Sequence, residues 1–292
     1  MEKFAPCLLP QSGREATFAS VKEPIANGRG CLMPLAEVRR ILASPYCDDS
    51  MLETLRADPR EAVAVLLDST DRRNQRIDEE RERHEEMLAI ERELQNGGTA
   101  LVAGVDEAGV GPLAGPIVAA AVILGEACSI AGIDDAKRLD TATRNRLAIE
   151  IRDRAVCVSI GVADVHEIDE LNVYHAGLLA MRRAVEGLAK RPDHVLVDAR
   201  RIPDIGIEQS AYVLGDSRSP SIAAASIVAK AYRDALMDDL DVDHPGYGFS
   251  RHKGYATPEH FAALKRLGPS AVHRVSYESV REVVAGGRQL DD

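Results

Sequence analysis

Residues 101–124 read LVAGVDEAGVGPLAGPIVAAAVIL. Two apolar runs of strand length, 101–106 and 116–124, flank a segment that carries Gly109, Gly111 and Gly115. Runs with almost no polar position read as buried strands, and the glycines between them read as a loop joining two strands of a hairpin. The first run ends on Asp106 and Glu107, where packing alone has no use for carboxylates.

The α/β texture continues beyond this hairpin. VCVSIGVAD (156–164), HVLVDA (194–199) and SAYVLG (210–215) read as further strands. TRNRLAIEIRDR (143–154), LNVYHAGLLAMRRAVEGL (171–188), SPSIAAASIVAKAYRDALMDDL (219–240) and TPEHFAALKRLG (257–268) read as helices, the last with Thr257 as N-cap, Pro258 in its first turn and Gly268 after it. In SIAAASIVAK the small residues recur at helical spacing, which favours close helix-on-sheet packing over a hinge.

The texture before residue 99 is different. Residues 1–30 lack periodicity and read as a loose tail, whereas 34–44 and 50–70 place apolar residues at helical spacing, with Asp58-Pro59 opening a second helix. RRNQRIDEERERHEEMLAIERELQ (72–95) interleaves opposite charges and reads as a solvated helix stopped by Asn96-Gly97-Gly98. The expected organisation is a tail and helical extension over 1–98, an α/β catalytic domain over 99–284 and a tail over 285–292.

Composition narrows the function classes. Trp is absent, aromatic residues make up 4% of the chain, and the formal net charge is −11, so rows of stacking platforms and long-range attraction to phosphate are both excluded as the main principle. A nucleic-acid function needs a local positive face or metal ions that neutralise carboxylates. Lys137 with Arg138, Arg182 with Arg183, Lys230 with Arg233, and Arg251 with Lys253 are the candidates for that face, and each pair reads equally well as a solvated helix edge. The five cysteines form no C-x-x-C pair, and His252, His260 and His273 are not at zinc spacing; those histidines read as phosphate neighbours or surface residues. No run reaches the ~18 apolar residues of a membrane span, so a soluble cytoplasmic protein, monomeric and without membrane contact, is expected.

Four acids stand where strands end: Asp106 and Glu107, Asp198 after HVLV, and Asp216 after SAYVLG. Acids at strand ends of an α/β sheet project into one crevice and suit hard cations with oxygen ligands. Any one of them alone is more often a cap or turn residue.

GVDEAGVGPLAGPIVAAAVIL closely resembles the opening signature of bacterial ribonuclease HII, the type 2 ribonucleases H, and DDAKRLD, EIDELNVYHAGLLAMRRAVEGL, PDHVLVDARRIP, GDSRSPSIAAASIVAKAYRDALM and PGYGFSRHKGYATPEHFAALKRLGPSAVHRVSY follow in the family's order. The resemblance covers about residues 100–278. It implies a ribonuclease H-like mixed sheet flanked by helices and preceded by a small helical region. It also implies an endonuclease that hydrolyses the RNA strand of RNA/DNA hybrids and cuts 5′ of ribonucleotides in duplex DNA, leaving a 3′-OH and a 5′-phosphate. The implied catalytic and metal-binding residues are Asp106, Glu107, Asp198 and Asp216, holding two Mn²⁺ or Mg²⁺ ions. Gly109, Val110 and Gly111 are similar to the family segment that senses the ribose 2′-OH through its backbone, and Tyr255 matches the tyrosine that packs on the sugar at the RNA-to-DNA junction. Lys137, Arg182 and Arg183 join them as expected substrate contacts. The chain departs from the family pattern at Val110, where Arg stands between the glycines, at Ala136 for Ser, at Ala199 for Gly and at Leu214 for Lys. Two other readings stay open at this point: a hybrid-binding relative with weakened hydrolysis, and another two-metal nuclease of the same broad fold.

Overall fold

The structure is a computed structural model that describes residues 32–44, 49–125, 130, 132, 133, 136 and 138–287. The expected tail at 1–30, Cys7, Cys31, Cys47, Cys128 and Lys137 lie outside the described residues. The chain divides into two compact units between Asp78 and Glu79.

In the first unit, α1 (Leu35–Leu42), α2 (Asp49–Arg56) and the start of α3 (Glu61–Met87) bury Val38, Leu42, Leu55, Val63 and Leu67 together. Arg60 is bonded to Asp58 and to the Met33 carbonyl, and Arg73 donates to the Leu42 carbonyl at 2.9 Å. The helix expected to open at Asp58-Pro59 and the charged helix expected from residue 72 are one helix, α3. No glycine or proline separates Leu67 from Arg72, so nothing stops it. After a break at Leu88, α4 (Ala89–Asn96) ends at Gly97.

The second unit is built on a five-stranded sheet. Its strands are β1 (Val102–Ala108), β2 (Ile117–Ile123), β3 (Cys157–Ala163), β4 (His194–Asp198) and β5 (Glu208–Tyr212). They lie in the order β3-β2-β1-β4-β5, with β1/β2 and β2/β3 antiparallel and β1/β4 and β4/β5 parallel. The last strand begins two residues earlier than the expected SAYVLG, and Val213-Leu214 belong to the following turn, where Leu214 has φ +56°.

The helices α5 (Thr141–Arg154), α6 (Val165–Leu171), α7 (Val173–Glu186) and α8 (Pro220–Asp243) cover the sheet. Strand alternation sends Ala103, Val105, Val195 and Val197 into the core that includes Ala176, Ala180 and Met181 of α7. Val118, Ala120 and Val122 point the other way, toward Ala224, Ile227 and Val228 of α8. The small-residue face of α8 is a packing face: a Cβ on Gly104 would lie 2.0 Å from the Ser221 carbonyl carbon, so backbone meets backbone there.

The helix expected over 171–188 is α7, which begins at Val173 and is preceded by the separate helix α6. Asn172 sits at φ +69° with its side chain accepting from the amides of Tyr174 and His175, which ends α6 and caps α7. Asp164 and Glu167 form a capping box that starts α6. Past α8 come α9 (Phe249–His252), α10 (Pro258–Leu267) and α11 (Glu278–Gly287), the last of which runs into the stretch expected to be a tail. From α4, the buried Glu91 accepts from the Ser219 hydroxyl at 2.6 Å and the Ser221 amide at 3.2 Å, capping α8 where the helix dipole favours an acid.

The three histidines expected as phosphate neighbours or surface residues are buried, with His260 fully enclosed. Their partners fix the tautomers. His252 accepts from the Gly254 amide, so its Nε2 donates to the Tyr247 carbonyl at 2.9 Å. His260 Nδ1 donates to the Tyr255 carbonyl, leaving Nε2 to accept from His273 Nε2 at 3.0 Å, while His273 Nδ1 accepts from the Ser270 amide. Burial disfavours the charged form of both His260 and His273. Burial, followed by the neighbouring His260, pushes His273 down to about 4. The unfolded ring titrates near ~6.5, so the unfolded chain takes a proton that the fold refuses. This contribution is complete above the unfolded value and is lost as pH falls toward the folded one, on the order of 3 kcal/mol in all. The melting temperature of the wild type is therefore expected to drop more than that of His273→Gln between roughly pH 7 and 4.5. Parallel pH profiles would refute the assignment.

Candidate active site

Parallel pairing of β1 with β4 sets Val105 opposite Val197, so Asp106 and Asp198 take the next step at the carboxyl ends of neighbouring strands. Asp106 is buried and accepts from the Glu107 amide at 2.7 Å, and the Ser226 hydroxyl of α8 beside it favours its charged form. Asp198 Oδ1 accepts from the Gly215 amide at 2.8 Å, which ties β4 to the 3₁₀ turn Gly215–Ser217 carrying the buried Asp216. Two non-glycine residues in the left-handed region flank this connection, Ala199 at φ +55° and Leu214 at φ +56°. Each costs roughly 1 kcal/mol or more, and Ala199 is held there by its amide bond to the Tyr212 carbonyl.

Glu107 leaves the strand on the other side, where its Oε1 lies 3.3 Å from Arg200 Nη1. The Arg200 guanidinium in turn sits 5.2 Å over the Tyr174 ring of α7. Burial, then the charge of Glu107 and that of Asp198, hold the Asp106 carboxyl well above the usual carboxylate range. Hard oxygen donors with an excess of negative charge fit a divalent cation. In the conformation described, with Glu107 turned to Arg200, no three His, Cys, Asp or Glu side chains among the described residues converge on one ion position.

The acidic pair leads directly into the glycine loop. Gly109 is buried at φ +95°, and a Cβ there would lie 2.0 Å from Arg233 Nε. Gly111 is exposed, and its nearest neighbour for an added Cβ is Tyr255 Cε1 at 3.9 Å. Tyr255 is 42% exposed, with Lys230 Nζ 5.8 Å and Arg233 Cζ 5.9 Å from its ring centre. The acidic pair, the glycine loop and Tyr255 thus form one continuous region. Val110 is half-buried, and its carbonyl accepts from Arg274 and from the Tyr277 hydroxyl.

Other expected contacts are engaged elsewhere. Arg182 pairs with Glu186 at 2.7 Å, and Arg183 donates to Glu167 and to the Val162 carbonyl, none of which belongs to this region. Most of the expected positive face is neutralised in the same way: Lys230 pairs with Asp234, Arg251 with Glu259 and Lys253 with Asp238. Sequence reasoning missed Ser226, Arg200 and Arg274. Ser226 looked like one more small packing residue. Arg274 follows His273 in an irregular segment with no periodicity to announce its burial.

Residues 103–280 match the family model of ribonuclease HII, and residues 35–95 match that of the ribonuclease HII N-terminal domain. A ribonuclease HII from Anaeromyxobacter sp. strain Fw109-5 is 50% identical over 241 residues, 82% of this chain and 75% of that protein. One from Geobacillus kaustophilus is 45% identical over 254 residues, covering 87% of this chain and 97% of the relative. Among solved structures, the ribonuclease H2 from Pyrococcus horikoshii OT3 aligns with a TM-score of 0.57 at 25% identity, over 65% of this chain and 99% of that one. The Bst ribonuclease HIII solved in complex with Mn²⁺ aligns at a TM-score of 0.51 and 20% identity, a likeness of fold. With both family models matched in chain order and half the aligned residues shared with a bacterial relative, this chain belongs to the ribonuclease HII family, the type 2 ribonucleases H.

Proposed function

We propose that this type 2 ribonuclease H hydrolyses the RNA strand of RNA/DNA hybrids and cuts 5′ of ribonucleotides embedded in duplex DNA. Asp106, Glu107, Asp198 and Asp216 are the residues that hold two divalent ions, Mn²⁺ or Mg²⁺. The observation that carries this reading is the buried Asp106 carboxyl, bonded to the Glu107 amide and crowded by the charges of Glu107 and Asp198, at the entry to a loop whose exposed glycine faces Tyr255. When bound, the two ions supply an activated water and neutralise the leaving oxygen.

The protein's own groups do the rest. The Glu107 amide orients Asp106, and the Gly215 amide orients Asp198, so two of the ligands are set before any ion arrives. The exposed backbone at Gly111 lets a sugar approach where a side chain would intrude, and a 2′-OH is the group that marks a ribonucleotide among deoxyribonucleotides. Tyr255 supplies a flat face for that sugar, backed by two cations. The decisive experiment is cleavage of a DNA duplex carrying one ribonucleotide, with the cut position mapped in Mg²⁺ and Mn²⁺ separately. Failure to cut, or a requirement for a longer RNA tract, would overturn the reading.

Two substitutions probe the parts separately. Asp198→Asn keeps an oxygen for the Gly215 amide and removes one charge beside Asp106, so the metal-free protein is expected to melt no lower than the wild type while cleavage falls at least a hundredfold, roughly 3 kcal/mol. Retained cleavage in the folded variant would remove Asp198 from the ligand set. Gly111→Ala adds a methyl group that meets only ordinary contact with Tyr255, so the fold is expected to be unchanged while affinity for the one-ribonucleotide duplex drops about tenfold, roughly 1.4 kcal/mol. Equal affinities measured by fluorescence anisotropy would show that the sugar does not approach this edge.

A further inference from the structure

Arg233 and Arg274 are both fully buried, and neither forms an ion pair with a carboxylate among the described residues. Their donors go to backbone carbonyls instead, apart from an Arg274 Nη1 bond to the Tyr277 hydroxyl at 2.9 Å. Arg274 Nε and Nη2 donate to the Gly115 carbonyl at 3.0 and 2.8 Å, Nη2 also to Gly109 at 2.6 Å, and Nη1 to Val110 at 2.9 Å. Arg233 donates to the Pro116 carbonyl at 3.0 Å, to Ala114 at 3.2 Å and to Lys253 at 3.0 Å. Desolvating a guanidinium costs several kcal/mol, and here carbonyl dipoles, the Tyr277 hydroxyl and the rings of Tyr255 and Tyr277 offset it without a carboxylate. Two such groups placed under one loop are an expensive way to build a turn.

We infer that Arg274 and Arg233 are positioning residues for ribonucleotide recognition, holding the glycine loop's carbonyl oxygens inward so that its amides face the sugar, and placing beneath the loop the positive charge that Val110 leaves out of it. In a trans peptide the C=O of one residue and the N–H of the next point in opposite directions. Turning the Gly109 and Val110 carbonyls onto Arg274 therefore turns the amides of Val110 and Gly111 away from it. Among the described residues neither amide has an acceptor, which leaves both donors for a 2′-OH or a phosphate oxygen. Lys230, Arg251 and Lys253 are each neutralised by a carboxylate, whereas these two guanidiniums keep an unpaired charge in a low-dielectric interior below the loop. Such a field attracts phosphate despite a net charge of −11.

The inference rests on the reading of the loop as the ribose sensor, and the test separates the two. Full-length wild type, Arg274→Lys, Arg274→Met and Arg233→Lys are titrated in EDTA, so that no cleavage occurs, against a duplex with one ribonucleotide and the same duplex in all-DNA form, at several salt concentrations. Arg274→Lys retains the charge but cannot reach three carbonyls, so its ribose-over-deoxyribose preference is expected to fall about tenfold with the salt slope unchanged. Arg274→Met is expected to lose the preference and also to flatten the salt slope by about one counterion. Thermal melting records any general loss of stability; if Arg274→Met does not fold, the preference ratios of the two lysine variants decide. A folded lysine variant that melts lower yet keeps the wild-type preference would overturn the inference and leave the arginines as scaffolding. Wild-type binding indifferent to the 2′-OH would overturn the loop reading itself, and the inference with it.

Discussion

The near-contact of two backbones at Gly104 governs the catalytic unit. With no side chain there, α8 settles onto β1 until the Ser221 carbonyl carbon would stand only 2.0 Å from a Cβ. That approach brings the Ser226 hydroxyl onto Asp106, the Ser219 and Ser221 donors onto Glu91, and the Arg233 side chain under the loop that follows β1. A larger residue at 104 would lift the helix and move all three together. The small-residue face of α8 is thus a condition for the site's geometry as well as a means of filling the core.

Electrostatics and fold are arranged around two opposite excesses. At the strand ends, carboxylates crowd one another, and Arg200 pairs with Glu107. Under the glycine loop, two guanidiniums lie buried against carbonyls and tyrosines, with no carboxylate partner among the described residues. A phosphodiester with bound cations is complementary to both: its metal-facing oxygens suit the first region and its backbone charge the second. The total charge of the chain conceals this division, because the surface cations that composition suggested as a positive face are tied to acids one or two helical turns away or on adjacent segments.

Much of this was readable from residues alone. Apolar runs ending in acids gave the strands away, and the parallel register of β1 with β4 sets two of those acids on neighbouring strand ends. Thr257, Pro258 and Gly268 bracketed α10 because capping chemistry is local. What could not be read depended on tertiary partners. Asn172 breaks a helical pattern that runs apolar on both sides, and its positive φ is stabilised only once two amides are there to be capped. The buried histidines and arginines look like surface residues by type. Their burial follows from a network in which each donor meets an acceptor supplied by a distant segment, such as Arg274 with Gly109. The continuity of α3 was hidden by the change of composition along it, from apolar to charged, although no residue in between opposes a helix.

On α8 the contacts to Glu91, Asp106 and the glycine loop come from Ser219, Ser226 and Arg233, residues separated by seven positions each. Seven residues are two turns, about 10 Å of rise, so all three leave the helix on nearly the same side. The helix acts as a ruler whose marks are an extension contact, a carboxylate and the glycine loop. Such a ruler tolerates exchange of residues between the marks but not a change in their number. One codon added between Ser226 and Arg233 would swing the guanidinium by about 100° away from the carbonyls it holds, while the same codon in the turn after Asn96 would displace no mark on the helix.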